Sequence, residues 1–384
     1  MKILITTDVY FKVDGVSTSV KNLYSSLVDM GHEVRVLTLS NEYKNYKSDD
    51  VYLVKSLPLD VVYKGIRMAF TLNGYFVDEI SKWKPDVIHS QCEFFTYKYA
   101  LKIAKITGAP IIHTYHTMYE DYVSYVTIFK KFGLVALRKF INKRLKDVDT
   151  IITPTKKVEK ALLSYGINKP LAVIPSGINI CQHQQKMLDS ERKKLRNDFG
   201  VKDNEILLLS LGRVAYEKNL QEIVDNFKKT VKTHPYLKLM IVGDGPYRKT
   251  LEKLTLELGV MDKVVFVGMV NPSKVHLYYQ IGDIFVNAST SETQGLTYVE
   301  ALANGLPLLC KKDDCLDGVL IEDKTGYFYN NDVEYINALE KLLSADKRKE
   351  ISKNSLLHSA LFDKKNFAKA VTEVYDKVLN KKSG

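Results

Sequence analysis

Residues 205–220 read EILLLSLGRVAYEKNL. An apolar run from Ile206 to Leu211, broken only by Ser210, ends at Gly212. A polar loop then carries Arg213 and Lys218 towards a helical pattern from about Asn219. A short continuous apolar run closed by glycine reads as a strand buried on both faces. Strand, loop and helix repeat downstream: LKLMIVGDGP precedes the helical YRKTLEKLTLELG, and KVVFVGMV, IFVNAST and LPLLCKK read as further strands. The same alternation has already run once upstream. KILITTDV, HEVRVLTL, DVIHSQ, APIIHTYH, DTIITPT and LAVIPSG are short apolar runs, and SVKNLYSSLVDMG between the first two is helical. Short strands joined by crossover helices give parallel sheets. The restart at Glu205 therefore makes this an α/β chain of two doubly wound, Rossmann-like domains, with the linker near residues 175–185.

Length agrees, since 384 residues exceed one ordinary core. The predicted division is 1–178, 179–364 and a C-terminal helix, 365–384, packing back on the N-terminal domain. Composition is that of a folded protein, with 45% hydrophobic and 26% charged residues. The opening MKILITTDVYF is too short in its apolar run for a signal peptide, and no stretch approaches a membrane span. A cytoplasmic protein is expected. The four cysteines form no CxxC pair, and His113 and His116 lack an evident third ligand, so no metal site is expected. The formal charge of +11 favours polyanionic partners. No nucleic-acid motif accompanies it, leaving anionic lipid, phosphorylated metabolites or a generic surplus of surface lysines.

In two doubly wound domains facing across a cleft, ligands bind at the carboxyl ends of the strands. Four loops there stand out. Gly15 precedes a helix start, where backbone N–H groups could meet an anion, or simply form a tight turn. Arg213 and Lys218 share a loop and suit a diphosphate, unless they are solvated surface cations. VGDGP lacks the third glycine of a dinucleotide fingerprint and reads as a turn. The fourth, TSETQGLTYVEALANGLP, residues 290–307, places Glu292 and Glu300 around a helix start. Capping by Ser291 or Thr293 covers part of this pattern. It leaves Glu300 and Gly295 unexplained. The amides of Gln294, Gly295 and Leu296 could seat a phosphate. Eight helical residues would span about 12 Å, setting two polyol clamps either side of it. A hydrolase acid/base pair would leave Arg213 and Lys218 without a task.

Taken in order, DGVSTSV, PDVIHSQCEFF, HTYHTMYEDY, LGRVAYEKNL, VGDGPYRKTLE and SETQGLTYVEALANGLP resemble the retaining glycosyltransferases of family 4, which have the GT-B fold. Glu292 to Glu300 matches their E-x7-E motif. TYHTMYEDYVSYV and STSETQGLTYVEA look most like bacterial 1,2-diacylglycerol 3-α-glucosyltransferases. The resemblance implies an acceptor and membrane-docking N-terminal domain and a nucleotide-sugar C-terminal domain. His116 would hydrogen-bond the donor sugar, Gly15 would meet its phosphate, and Arg213 and Lys218 would neutralise the diphosphate. Glu292 would hold the hexose, Gln294, Gly295 and Leu296 the phosphates, and Glu300 the ribose. The implied donor is UDP-glucose, with no cofactor and no metal required. Asn179 stands where many relatives have aspartate, which leaves donor choice less fixed.

Between Thr127 and Lys146 the chain carries Lys130, Lys131, Arg138, Lys139, Lys143 and Arg144 with no acid, interleaved with Phe129, Phe132, Leu137, Phe140 and Ile141. Such a helix reads equally as an anionic-membrane surface or as an ordinary helix with a solvated basic side. Tyr63, Met68, Phe70, Tyr75 and Phe76 form a second candidate surface. The expectation is a hexosyltransferase acting on diacylglycerol at the inner face of the cell membrane, binding no nucleic acid. The same fold acting on a glycolipid, polysaccharide or soluble acceptor, or a non-catalytic nucleotide-sugar binding protein, are the alternatives. The sequence does not fix the hexose.

Overall fold

The computed structural model describes residues 1–11, 14–58, 67–69, 72–122 and 130–383, with the side chains of residues 121, 122, 130, 131, 382 and 383 outside the description. The chain forms two units, one of residues 1–177 with 364–384, the other of residues 178–363.

The first unit begins with β1 (Lys2–Thr7), α1 (Gly15–Asp29) and β2 (Glu33–Leu39), then β3 (Tyr46–Ser48), β4 (Val51–Val54) and a two-residue pair, β5 (Leu57–Pro58) with β6 (Arg67–Met68). It continues through α2 (Gly74–Trp83), β7 (Val87–Ser90), α3 (Phe95–Thr107), β8 (Ile111–Thr114), α4 (Lys130–Leu145), β9 (Thr150–Thr153), α5 (Lys156–Ser164) and β10 (Leu171–Val173). The sheet order is β10-β9-β8-β7-β1-β2-β4-β3. Its pairs are parallel except β3 with β4. The two strands at this edge were not anticipated: YKS has no apolar run to announce it. Ile3, Leu4 and Ile5 are fully buried, which is why β1 reads as an unbroken apolar run rather than an alternating one.

The second unit holds α6 (Ile180–His183), α7 (Asp189–Asp198), β11 (Ile206–Leu211), α8 (Leu220–Val231), β12 (Leu237–Val242), α9 (Arg248–Glu257), β13 (Val264–Gly268), α10 (Val275–Ile281), β14 (Ile284–Asn287), α11 (Leu296–Ala303), β15 (Leu308–Lys311), β16 (Gly326–Tyr329), α12 (Asp332–Leu343) and α13 (Ala345–Ser359). Its six-stranded sheet runs β13-β12-β11-β14-β15-β16, all parallel. The order reverses between β11 and β14. That is the switch point at which ligands of open α/β sheets bind.

The last helix, α14 (Lys364–Ser383), belongs to the first unit. Phe367, Ala368, Val371, Val374, Tyr375 and Val378 form its buried stripe and pack with Ile3, Ile5, Val20, Leu23 and Leu27. The Tyr375 hydroxyl lies 2.6 Å from His89 Nδ1 in the same core.

Candidate active site

The loop after β11 and the segment after β14 meet at this switch point. Three contacts join them: Lys218 Nζ donates to Glu292 Oε1 at 2.7 Å, Ser291 Oγ donates to the Glu217 carbonyl at 3.1 Å, and Asn219 Nδ2 donates to the Ala288 carbonyl at 3.4 Å. Asn219 takes a left-handed conformation (φ 53°) that turns the chain from the loop into α8. Its amide is also held by Glu222, which receives Lys311 Nζ at 2.6 Å. Arg213 lies 3.6 Å from Glu217. Each of the two predicted diphosphate cations thus has a carboxylate partner. The two pairs, Lys218 with Glu292 and Arg213 with Glu217, are each of opposite charge.

Gly295 answers the question of why a poor helix former opens α11. It sits at φ +74° as the N-cap residue, and a Cβ there would lie 2.4 Å from the Tyr298 ring. Only glycine meets both demands. The left-handed turn also corrects the expected geometry. Neither Ser291 nor Thr293 is the N-cap residue of α11, and the eight residues from Glu292 to Glu300 are not one helix. The helix begins at Leu296, and only the last four steps are helical, about 6 Å of rise. Glu292 stands in the preceding loop and Glu300 in mid-helix. Gln294 is buried.

Glu300 accepts from the Tyr279 hydroxyl at 2.8 Å. Burial raises its carboxyl above the usual range, and the Tyr279 bond pulls the other way. VGDGP is a turn, as expected, and the reason is a close backbone approach. A Cβ on Gly243 would lie 1.9 Å from the Gly212 carbonyl oxygen, and one on Gly245 2.2 Å from that of Val214. The turn braces the loop bearing Arg213.

In the first unit His116 follows β8. It is half-buried, and its Nε2 lies 2.7 Å from Gln91 Oε1 on the loop after β7. Burial pushes its pKa down to about 4, His113 adding to the fall and Glu93 opposing it, so the ring is neutral near pH 7. Glu93 accepts from His113 Nε2 at 3.0 Å and from the Tyr119 hydroxyl at 2.5 Å. Gly15 is exposed at the start of α1, where Asp14 Oδ1 already accepts from the Ser17 amide at 2.7 Å. Asn179 caps α6 by accepting from the Gln182 amide.

The basic segment divides. Ile141 and Leu145 are buried, and Leu137 and Phe140 pack against the same core. Phe140 is half-buried and stacks on the exposed Phe94, and Arg138 is paired with Glu120 at 3.0 Å. Lys139 and Lys143 are exposed, as are Phe132 and Val135, at 77% and 53%. The side chains of Lys130 and Lys131, and all of 127–129, lie outside the described residues. In the second candidate surface Phe76 is core, Met68 half-buried and Tyr75 exposed, while Tyr63 and Phe70 lie outside the described residues. No helix among the described residues is long and apolar enough to cross a membrane.

Sequence reasoning missed Tyr279 and Gln91, whose contacts join distant segments and leave no local signal, and Glu217, whose i,i+4 spacing from Arg213 was the available signal.

Residues 13–181 match the family model described as Glycosyltransferase Family 4, and residues 191–357 that described as Glycosyl transferases group 1. The chain is 34% identical to the α-monoglucosyldiacylglycerol synthase of Streptococcus pneumoniae, over 98% of this chain and 85% of that one. It is 33% identical to the enzyme of the same name from Acholeplasma laidlawii, over the whole of both. Among solved structures, sucrose-phosphate synthase of Thermosynechococcus elongatus matches with a TM-score of 0.78 at 18% identity, covering 99% of each chain. HepE of Anabaena in complex with UDP-glucose matches with 0.74 at 18%, covering 98% of this chain and 100% of that one. The chain belongs to glycosyltransferase family 4: it is a glycosyltransferase built of two Rossmann-like units of the GT-B type.

Proposed function

We propose that this chain is a retaining hexosyltransferase that moves glucose from UDP-glucose to the 3-hydroxyl of 1,2-diacylglycerol. Likeness over full length to two α-monoglucosyldiacylglycerol synthases supports the sugar and the acceptor. The observation that carries the site assignment is the Lys218–Glu292 pair at the switch point of the second sheet. Lys218 and Arg213 are the cations available for a diphosphate, and Glu292 is a carboxylate freed to accept from hexose hydroxyls once Lys218 turns to phosphate. The amides of Gln294 to Leu296 suit phosphate oxygens at a helix start. Glu300, oriented by Tyr279, suits the ribose diol.

In this reading the bond from the sugar's anomeric carbon to the diphosphate breaks as the bond to the acceptor oxygen forms on the same face. The acceptor hydroxyl's proton passes to a leaving-group oxygen. The protein supplies position and charge stabilisation, Arg213 and Lys218 carrying the developing charge without a cofactor or metal. His116 keeps the role that the family resemblance implies, a hydrogen bond to a hydroxyl of the transferred sugar. Exposed Phe132 and Val135 beside Lys139 and Lys143 support peripheral docking on an anionic membrane; the cytoplasmic side is what the family resemblance implies.

Incubation with UDP-glucose, or separately UDP-galactose, and diacylglycerol vesicles, followed by mass spectrometry of the lipids, tests the proposal. A product heavier by one hexose is expected with UDP-glucose, and its loss in Lys218→Ala and Glu292→Ala. No hexosylated diacylglycerol from the intact protein would overturn the acceptor assignment.

A further inference from the structure

Gln91 follows β7 directly and is 3% exposed. Its Oε1 accepts from His116 Nε2 at 2.7 Å. Its amide nitrogen is buried and has no partner among the described residues. A buried donor left unpartnered is a cost that methionine, of similar length, would not carry at position 91. Packing therefore gives no reason for glutamine here. The bond to His116 does. An amide oxygen only accepts, so it keeps the proton on Nε2 and leaves the Nδ1 lone pair available.

The same segment holds the His116 loop at a second point. Glu93, two residues on, bonds His113 on β8 and Tyr119 beyond His116. Cys92 between them turns elsewhere, with its Sγ 3.1 Å from Thr96 Oγ1. The titratable groups around His116 are Glu93, His113 and His89.

We propose that Gln91 is a positioning residue of the transfer reaction: it fixes the His116 tautomer so that Nδ1 accepts a hydrogen bond from a hydroxyl of the transferred sugar. This inference rests on the role given to His116 above.

Steady-state kinetics with UDP-glucose from pH 4 to 8.5, with thermal unfolding of the same full-length samples, tests it in three variants. Gln91→Met should raise the donor KM by about 2- to 13-fold, the worth of one neutral hydrogen bond, with Tm little changed because one orphaned donor, the Gln91 amide, is exchanged for another, His116 Nε2. Gln91→Glu keeps an acceptor on Nε2 but adds a charge that raises the His116 pKa. Its donor KM should begin to climb, as pH falls, at least one unit above the pH where the parent's does. A normal KM in Gln91→Met, with or without a lower Tm, or a parental pH profile in Gln91→Glu, overturns the assignment when His116→Ala is itself impaired. A parental KM in His116→Ala overturns the role of His116 instead.

Discussion

Lys218 and Glu292 meet at 2.7 Å across the loops that follow two adjacent parallel strands. Both are half-buried, so the pair contributes little to folding, of the order of 1 kcal/mol at most. Its value is that each group can be exchanged for a ligand group of the same charge or hydrogen-bonding sense. Lys218→Ala is therefore expected to lower kcat by about 10²–10³, the range for loss of one preorganised charge-stabilising group, and Glu292→Ala to lower turnover by about 10- to 150-fold, the worth of a charged hydrogen bond to the hexose. Tm should change by no more than a few degrees. Kinetics and calorimetry on the same preparations decide this, and near-parental turnover in both variants would remove the site.

Glu300 gives a prediction with opposite signs for stability and binding. Its folded-state carboxyl is raised above the ordinary value of 4.5 because the half-buried carboxyl loses hydration. The folded state thus holds this proton more tightly than the unfolded chain does. The contribution to stability is full below pH 4.5 and is lost as pH rises through the folded-state value. At pH 7 the half-buried charge is a burden. Glu300→Gln removes it, so Tm at pH 7 should rise. Donor KM should rise too, by about 5- to 13-fold, as a charged hydrogen bond to the ribose becomes a neutral one, a difference of roughly 1–1.5 kcal/mol. A lower Tm, or an unchanged KM, would contradict this assignment.

Some of this was legible in the sequence because it is local. Ile206–Leu211 and its counterparts announce buried strands by unbroken apolar runs, and the Glu292–Glu300 spacing lies within one segment. The rest depends on contacts the chain order hides. Tyr298 dictates glycine at 295, and that glycine starts the helix late enough to defeat a helical span from Glu292. Tyr46–Ser48 becomes an edge strand only because β4 offers it hydrogen bonds. An amphipathic pattern shows that a helix has two faces but not what each meets, so Phe76 turned out to be core and Phe140 half-buried against Phe94.

Gly295→Ala tests how far the helix start depends on that contact. The substitution meets the strain of φ +74° and a clash with Tyr298. Gly259 lies in the same unit at φ +69° with nothing within 4 Å of a Cβ, so Gly259→Ala isolates the strain alone. Strain of this kind is worth about 1–3 kcal/mol. Gly295→Ala should lower Tm more than Gly259→Ala does, and should also weaken UDP binding in calorimetry. Equal Tm losses would mean that Tyr298 yields freely and that the contact does not define the start of α11.

The basic helix α4 separates two effects that composition confounds. Lys139 and Lys143 are exposed, whereas Phe140 between them packs against Phe94 and the core. Lys139→Glu with Lys143→Glu removes two attractions to an anionic surface, each about 1 kcal/mol, and adds two repulsions. Co-sedimentation with vesicles rich in anionic lipid should fall at least about 30-fold, while Tm stays near the parent's. Phe132→Ser, at a side chain 77% exposed, should weaken vesicle binding without loss of stability. Phe140→Ser should do the reverse, lowering Tm through lost packing and affecting vesicles only as the fold fails. If the charge reversal leaves co-sedimentation unchanged, or if binding ignores anionic lipid content, this face of α4 is a solvated helix side and the membrane contact lies elsewhere.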